Sequence, residues 1–290
     1  MKKYLIGLGC SWTQGEGGYP DHIWEQHNYR MQLPLDSDYF LRKYEHENSW
    51  VNVLCRDYFT EFTPVNLGVR GIGSRAAVHQ LHFCDKIDWD NSTGIIIFMI
   101  PGMFRYDILS KDCKKSFKNQ DDFYSNLEYQ HYKWTQVYPN THRASEDSLY
   151  RSLDETLLNI DFISTNQVLA LLELQNFCKL YKYKLILVNP YNVQVHGLAN
   201  YLHSSSKLAH KIDWSIDFHK TVNYVSLMQK LVSLEFSVTN DNWHSYFGYY
   251  NQLSRPAKYL TNCAGTHPTI DGYKVIAKEL ADYIMMKNYV

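Results

Sequence analysis

Two segments near opposite ends of the chain carry residues that could act together as a nucleophile and its base. Ser11 lies in segment 9–15 (GCSWTQG), directly after an apolar run, and His267 with Pro268 directly precedes an amphipathic segment. A serine hydroxyl is a weak nucleophile until a base accepts its proton, and a histidine distant in sequence often supplies that base. We therefore expect Ser11 and His267 to meet in the folded chain.

A strand-to-loop turn must position this serine. Residues 4–9 (YLIGLG) predict a short buried strand of the kind that begins a parallel sheet. Ser11 then follows the carboxyl end of that strand, which is the edge where open α/β sheets bind ligands. Gly9 and Gly15 permit a sharp turn there. The alternative is an ordinary strand-to-helix turn in which Ser11 only caps a helix.

A third segment has a similar position after a second predicted strand. Residues 62–67 predict this strand, segment 66–74 (NLGVRGIGS) follows it, and residues 75–83 predict a helix. Three features occur in order along the chain: a Gly-x-Ser-x-Thr turn, an Asn-x-Gly-x-x-Gly turn, and a His-Pro pair before the last helix. Together they resemble the SGNH (GDSL-like) hydrolase family.

The resemblance implies a fold and a reaction. The fold is an α/β class, three-layer α/β/α sandwich with a mainly parallel, flavodoxin-like sheet. The reaction is hydrolysis of a small ester, such as O-acetyl groups on carbohydrate, with Ser11 as nucleophile and His267 as base. Backbone N–H groups of Ser11 and Gly71 would stabilise the oxyanion. The implied serine esterase needs no cofactor and no metal.

The sequence departs from the family pattern at the residues that support this chemistry. Cys10 replaces the usual aspartate before the serine, and a thiol is a poor substitute for the hydrogen bonds of a carboxylate. The family also places an oxyanion-binding asparagine after its third strand. Here the predicted strand 94–100 runs into residues 101–105 without an asparagine, and Arg105 is the candidate donor. Removing one oxyanion donor typically slows turnover about 100- to 1000-fold.

The acid of the triad is also missing from its usual place. The family pattern Asp-x-x-His would put a carboxylate at position 264, which is Ala264. Loss of that acid costs serine proteases about 10⁴-fold. Asp241, Asp271 or a backbone carbonyl could orient His267 instead. The alternative function is therefore a catalytically degenerate SGNH-fold module for binding or structure, with a protein partner in a larger assembly such as a virus particle.

Composition limits the other possible functions. The formal net charge is -1 without a run of like charges, which predicts no binding to nucleic acid or to an anionic membrane surface. No apolar stretch approaches the roughly 20 residues of a membrane span. The six cysteines show no Cys-x-x-Cys pair and no signal peptide precedes them. We therefore expect free thiols, a cytoplasmic protein or virion component, and no structural zinc.

Other candidate nucleophiles and ligands are less favoured by the sequence. Cys10 is adjacent to Ser11, but neighbouring residues leaving a strand point in different directions, so we expect Cys10 to be a small buried packing residue. Four histidines lie in a polar stretch without the tight spacing of metal ligands, which predicts no metal site there. They are His196, His203, His210 and His219.

The organisation along the chain is consistent with a single domain, 1–290, with long insertions. We predict neighbouring parallel strands at 4–9, 62–67, 94–100 and 184–189. Helices are predicted at 49–59, with Ser49 as N-cap, at 153–181 as one or two helices, and at 269–286. The insertions lie at about 17–48, predicted as an ordered loop, 111–148, and 191–259 with a short strand at 236–238. The aromatic residues of the insertions would bind sugar or protein, or would simply pack.

Overall fold

The core of the protein is a parallel β-sheet whose strands come from widely separated parts of the chain. The structure, a computed structural model, describes residues 1–26, 38–69, 72–101, 106–109, 134–137, 160–188, 217–219, 231, 258–259 and 267–290. The strands are β1 (Lys2–Leu8), β2 (Thr63–Asn66), β3 (Ser92–Met99), β4 (Tyr106–Leu109), β5 (Trp134–Val137), β6 (Lys184–Val188) and β7 (Asp217–His219). The helices are α1 (Ser11–Gln14), α2 (Asp21–Gln26), α3 (Asp38–Asn48), α4 (Trp50–Asp57), α5 (Ser74–His79), α6 (Ile160–Tyr181) and α7 (Ile270–Met286).

The main sheet has the order β2-β1-β3-β6-β7 and its pairs are all parallel. The register pairs Ile6 with Val65 on one side of β1 and with Ile96 on the other. The four predicted strands are therefore confirmed as parallel neighbours, with bounds within two residues of the predicted ones. The apolar runs of β1, β3 and β6 suit strands that are covered on both faces.

Helices cover both faces of this sheet. Alternate residues of β1 point to opposite sides, so that Ile6 joins one core cluster and Leu5 the other. The cluster around Ile6 includes residues of α5 and α6, and the cluster around Leu5 includes residues of α4 and α7. A parallel sheet in the α/β class, predicted from the sequence, is thus confirmed.

Two helices that position the site follow the sequence pattern closely. Helix α4 begins after Ser49, whose hydroxyl accepts a hydrogen bond from the backbone N–H of Asn52 at 3.5 Å, as expected of an N-cap. Helix α7 buries Tyr273, Ile276 and Leu280 completely, at the spacing that predicted an amphipathic helix. Helix α6 is one continuous helix, and residues 153–159 lie outside the described part.

The insertions differ from the prediction where the structure describes them. The prediction of a loop over 17–48 is wrong for its described part, which contains α2 and α3. Over residues 42–48, the part of α3 whose side chains are described, the buried residues are Arg42 and Glu45, so burial in this part does not follow an apolar pattern. Strand β5 pairs antiparallel with β4, and strand β7 extends the main sheet. The strand predicted at 236–238 lies outside the described residues.

Candidate active site

Ser11 lies where the sequence analysis expects it, at the carboxyl end of β1 and at the first position of α1. Gly9 turns the chain with φ +149°, and a Cβ at this position would lie 2.6 Å from the carbonyl oxygen of Met99 in the neighbouring strand β3. Gly15 ends α1 in the left-handed conformation, with φ +106°. Both glycines therefore have conformations that other residues adopt only with strain. They fix a single tight turn around the serine.

Asn66 joins this turn to the second glycine-containing segment. Its side-chain Nδ2 donates to the carbonyl oxygen of Thr13 at 2.8 Å, and its Oδ1 accepts from the backbone N–H of Gly68 at 2.9 Å. Thr13 in turn donates its hydroxyl to the carbonyl oxygen of Leu8 at 3.2 Å. These buried hydrogen bonds hold the Ser11 turn without a carboxylate at position 10, where Cys10 is fully buried.

His267 is positioned by the start of α7. Thr269 caps this helix, because its hydroxyl accepts a hydrogen bond from the backbone N–H of Gly272 at 3.2 Å. In the first turn of α7, the hydroxyl of Tyr273 donates to the backbone carbonyl of Glu16 at 2.8 Å. The segment that carries His267 is therefore fastened directly to the loop that follows Ser11.

The two ends of the chain meet at these side chains. His267 Nε2 lies 2.8 Å from Ser11 Oγ, although the residues are 256 positions apart. Both residues are buried, with 7% of His267 and 3% of Ser11 exposed. The distance lies within the range in which a base accepts the proton of a nucleophile. Burial strengthens the electrostatic interactions between such groups.

Glu16 is the carboxylate that reaches the histidine. Its Oε2 lies 3.3 Å from His267 Nε2, the same nitrogen that contacts Ser11. Glu16 is itself 5% exposed. A carboxylate at this distance favours the protonated imidazolium over the neutral imidazole. It contacts the nitrogen that receives the proton, whereas the acid of a serine protease contacts the other ring nitrogen.

Glu16 was not among the residues predicted from the sequence. The signal available in the sequence is an acidic residue between two glycines, Gly15 and Gly17, soon after the candidate nucleophile. The acids predicted from the sequence were Asp271 and Asp241. Asp271 pairs with Lys274 Nζ at 3.0 Å, and both side chains are about half exposed, at 45% and 54%. Asp241 lies outside the described residues, as do the candidate oxyanion donors Gly71 and Arg105, and Ala264.

Most of the described cysteines are buried, and two of their thiols are held in the protonated form. Burial raises the pKa of Cys55 and of Cys178 to about 12, so both thiols stay protonated at neutral pH. The expectation that Cys10 is a buried packing residue is confirmed by its complete burial. Cys10, Cys55, Cys84 and Cys178 are free cysteines.

A second buried carboxylate supports the loop that carries Glu16. Glu45 of α3 accepts a hydrogen bond from Gln14 Nε2 at 2.7 Å and another from the hydroxyl of Tyr19. Gln14 and Tyr19 lie on either side of Glu16 in sequence, and Glu45 is 1% exposed. Hydrogen bonds to a buried charge are among the strong ones in proteins. Glu45 therefore connects α3 to both ends of the loop.

We expect Tyr19→Phe to destabilise the protein by about 1.5–3 kcal/mol, because a hydrogen bond to a charged group contributes that much and the buried carboxylate of Glu45 loses a donor. The matched control is Tyr58→Phe, at a tyrosine that is 39% exposed, which should change stability by less than about 0.5 kcal/mol. Urea unfolding of both variants and the wild type measures the difference. Equal midpoints for Tyr19→Phe and wild type would show that Glu45 does not depend on this contact.

Comparison with known proteins adds no assignment. No protein-family model matches the sequence, and no curated protein matches it either. Across the described residues, every helix is too short or too polar to traverse a lipid bilayer. The geometry of Ser11, His267 and Glu16 is therefore what bears on the function of the protein.

Proposed function

We propose that this protein is a serine esterase of the SGNH type, which transfers an acyl group from a small ester to water. The observation that carries the proposal is the 2.8 Å distance between Ser11 Oγ and His267 Nε2. A serine at the carboxyl edge of a parallel sheet, in hydrogen-bond contact with a histidine from the far end of the chain, is an arrangement suited to nucleophilic catalysis. The presence of Glu16 beside the histidine adds the charge that an imidazolium requires.

The fold also supports the proposal. When the separate antiparallel pair β4–β5 is left out of the numbering, the strand order β2-β1-β3-β6-β7 corresponds to the flavodoxin-like order 2-1-3-4-5. In such sheets, ligands bind where the strand order reverses, next to the first strand. Ser11 follows β1 directly. We therefore propose the three-layer α/β/α sandwich of the SGNH family as the particular α/β fold of this chain.

In the proposed reaction, Ser11 Oγ attacks the ester carbonyl while His267 Nε2 accepts the hydroxyl proton. The carbonyl oxygen becomes an oxyanion, for which the backbone N–H groups of Ser11 and Gly71 are the proposed donors. The carbon–oxygen bond to the alcohol then breaks, and His267 returns the proton to the departing alkoxide. Water hydrolyses the acyl-serine by the same proton transfers in the second half of the reaction. Each time His267 has accepted a proton and not yet returned it, Glu16 stabilises the resulting imidazolium.

The burial of Ser11 and His267 supports the proposal of a small substrate. Because Ser11 is only 3% exposed, a compact acyl group such as acetyl fits this nucleophile better than a long chain. This agrees with O-acetyl groups on carbohydrate as the proposed natural substrate. We propose that the protein binds this small ester and that it binds neither nucleic acid nor a membrane.

A series of p-nitrophenyl esters tests the proposed reaction and the preference together. We expect the wild-type protein to hydrolyse the acetate ester, with kcat/KM at least about tenfold higher than for the octanoate, since a difference of about 1.4 kcal/mol in transition-state binding is tenfold. Equal rates for all chain lengths would contradict the preference for a small acyl group. No hydrolysis of any ester would favour the alternative, a non-catalytic module of the same fold with a binding or structural role.

A further inference from the structure

Two histidines and a glutamate form a second polar cluster, separate from Ser11 and His267. His79 is the last residue of α5, His82 lies in the 3-10 turn Gln80–Phe83 that follows, and Glu173 lies in α6. Helix α5 starts after the carboxyl end of β2 and leads towards the start of β3, so its last residues lie near the amino edge of the sheet. The cluster is therefore at the opposite edge from the proposed active site.

The ligand atoms of the three side chains lie close together. One ring nitrogen of each histidine and a carboxylate oxygen of Glu173 all lie within 4.8 Å of one another. His82 Nε2 and Glu173 Oε1 are 2.8 Å apart. Bonds of about 2.0–2.2 Å from one tetrahedral zinc ion to histidine nitrogen and carboxylate oxygen place the ligand atoms roughly 3.3–3.6 Å apart, so the 2.8 Å pair would open slightly and the wider separations would close by up to roughly 1.5 Å. Small side-chain movements would bring the three atoms around one ion.

Aromatic neighbours hold His82 in place. Its ring packs edge-to-face on Phe177, with ring centroids 6.0 Å apart, and Phe177 in turn packs on Trp89 at 4.7 Å and on Tyr181 at 4.8 Å. The rings of His79 and His82 are 5.3 Å apart. A ligand whose orientation is fixed by packing loses less conformational freedom when it binds a metal. The side chains of His82 and Glu173 remain accessible, at 47% and 35% exposure.

We propose that His79, His82 and Glu173 bind a divalent zinc ion, with water at the remaining coordination position. Two imidazoles and one carboxylate are a donor set that suits zinc better than calcium or magnesium, which prefer oxygen ligands alone. The ion would connect the end of α5 and the turn that follows it to α6. His82 and Glu173, which already contact each other across these elements, are 91 positions apart in the chain. Its effect would be on the stability of the fold, and it would take no part in the reaction at Ser11.

The test uses the full chain without a histidine tag, stripped with EDTA, dialysed and kept reduced, and titrated with zinc chloride in a calorimeter. We expect one equivalent of zinc to bind to the wild type. His82→Ala and Glu173→Gln should each weaken the affinity by more than about 10- to 100-fold, which is the usual cost of losing only an outer-shell partner. The matched control His22→Ala, at an exposed histidine of α2, should bind zinc as the wild type does.

A spectroscopic measurement on the wild type keeps the test independent of the variants. Of the 13 histidines, two imidazoles should shift in the NMR spectrum when one equivalent of zinc is added, and both should belong to this cluster. Zinc should also raise Tm of the wild type and leave Tm of His82→Ala unchanged. Absence of zinc binding to the wild type, or unchanged affinity in both ligand variants, would overturn the proposal.

Discussion

Replacing Ser11 with alanine is expected to abolish ester hydrolysis. The variant lacks the oxygen that forms the acyl-enzyme, and loss of the nucleophile lowers kcat by about 10⁶-fold in subtilisin. The stability should fall by only about 0.5–1.5 kcal/mol, because the substitution removes one buried hydrogen bond to His267. Initial rates with p-nitrophenyl acetate and urea unfolding of the same preparations measure the two effects separately.

The neighbouring thiol provides a matched control for this experiment. Cys10 is also buried beside the turn, so Cys10→Ala perturbs the same segment without removing the proposed nucleophile. We expect Cys10→Ala to keep most of the wild-type activity. If Ser11→Ala hydrolyses the ester as fast as the wild type, the serine mechanism is wrong. If only Cys10→Ala loses activity, the thiol is the nucleophile.

Replacing Glu16 with glutamine is expected to give the next largest effect. The substitution keeps the size of the side chain and removes the negative charge 3.3 Å from His267 Nε2. At this distance, a unit charge stabilises the imidazolium by about 1 kcal/mol in water and about 5 kcal/mol in a protein interior of intermediate polarity. We therefore expect kcat/KM to fall by roughly tenfold to several thousandfold, with Ser11 still able to form the acyl-enzyme.

The pH profile of Glu16→Gln separates an electrostatic role from a structural one. Hydrolysis requires neutral His267, so the rate rises as pH passes through the pKa of this histidine. The negative charge of Glu16 favours the protonated form, and its removal lowers the pKa of His267. The rising limb of the kcat/KM profile should therefore move to lower pH in Glu16→Gln. A purely structural defect would lower the rate without moving the limb.

Asp271→Asn is the matched control for the pH profile. The Asp271 carboxylate is directed to Lys274 and is about half exposed, so its neutralisation should leave the limb in place. Asp241→Asn tests the other carboxylate suggested by the sequence. A shifted limb in either aspartate variant, with an unshifted limb in Glu16→Gln, would assign the supporting charge to that aspartate and contradict the role of Glu16.

The sequence by itself determined the elements whose signals are local. The apolar runs of β1 and β3 predict buried parallel strands, because strands covered on both faces need apolar residues at consecutive positions. Ser49 marks the start of α4, since a hydroxyl at that position satisfies a free N–H of the first turn. The apolar run at 4–9 also predicted that Ser11 would follow the first strand.

The tertiary structure alone decided which polar groups meet. Gly15 ends α1 in a left-handed turn, and the hydroxyl of Tyr273 in α7 donates a hydrogen bond to the backbone carbonyl of Glu16. These two features bring the Glu16 side chain to His267. Over residues 42–48, the part of α3 whose side chains are described, the helix buries Glu45, whose carboxylate accepts hydrogen bonds from Gln14 and Tyr19, 31 and 26 positions away. Such contacts depend on distances of a few ångströms between side chains from different elements. A periodic pattern within one element records burial, but it carries no information about which buried charge will face which partner.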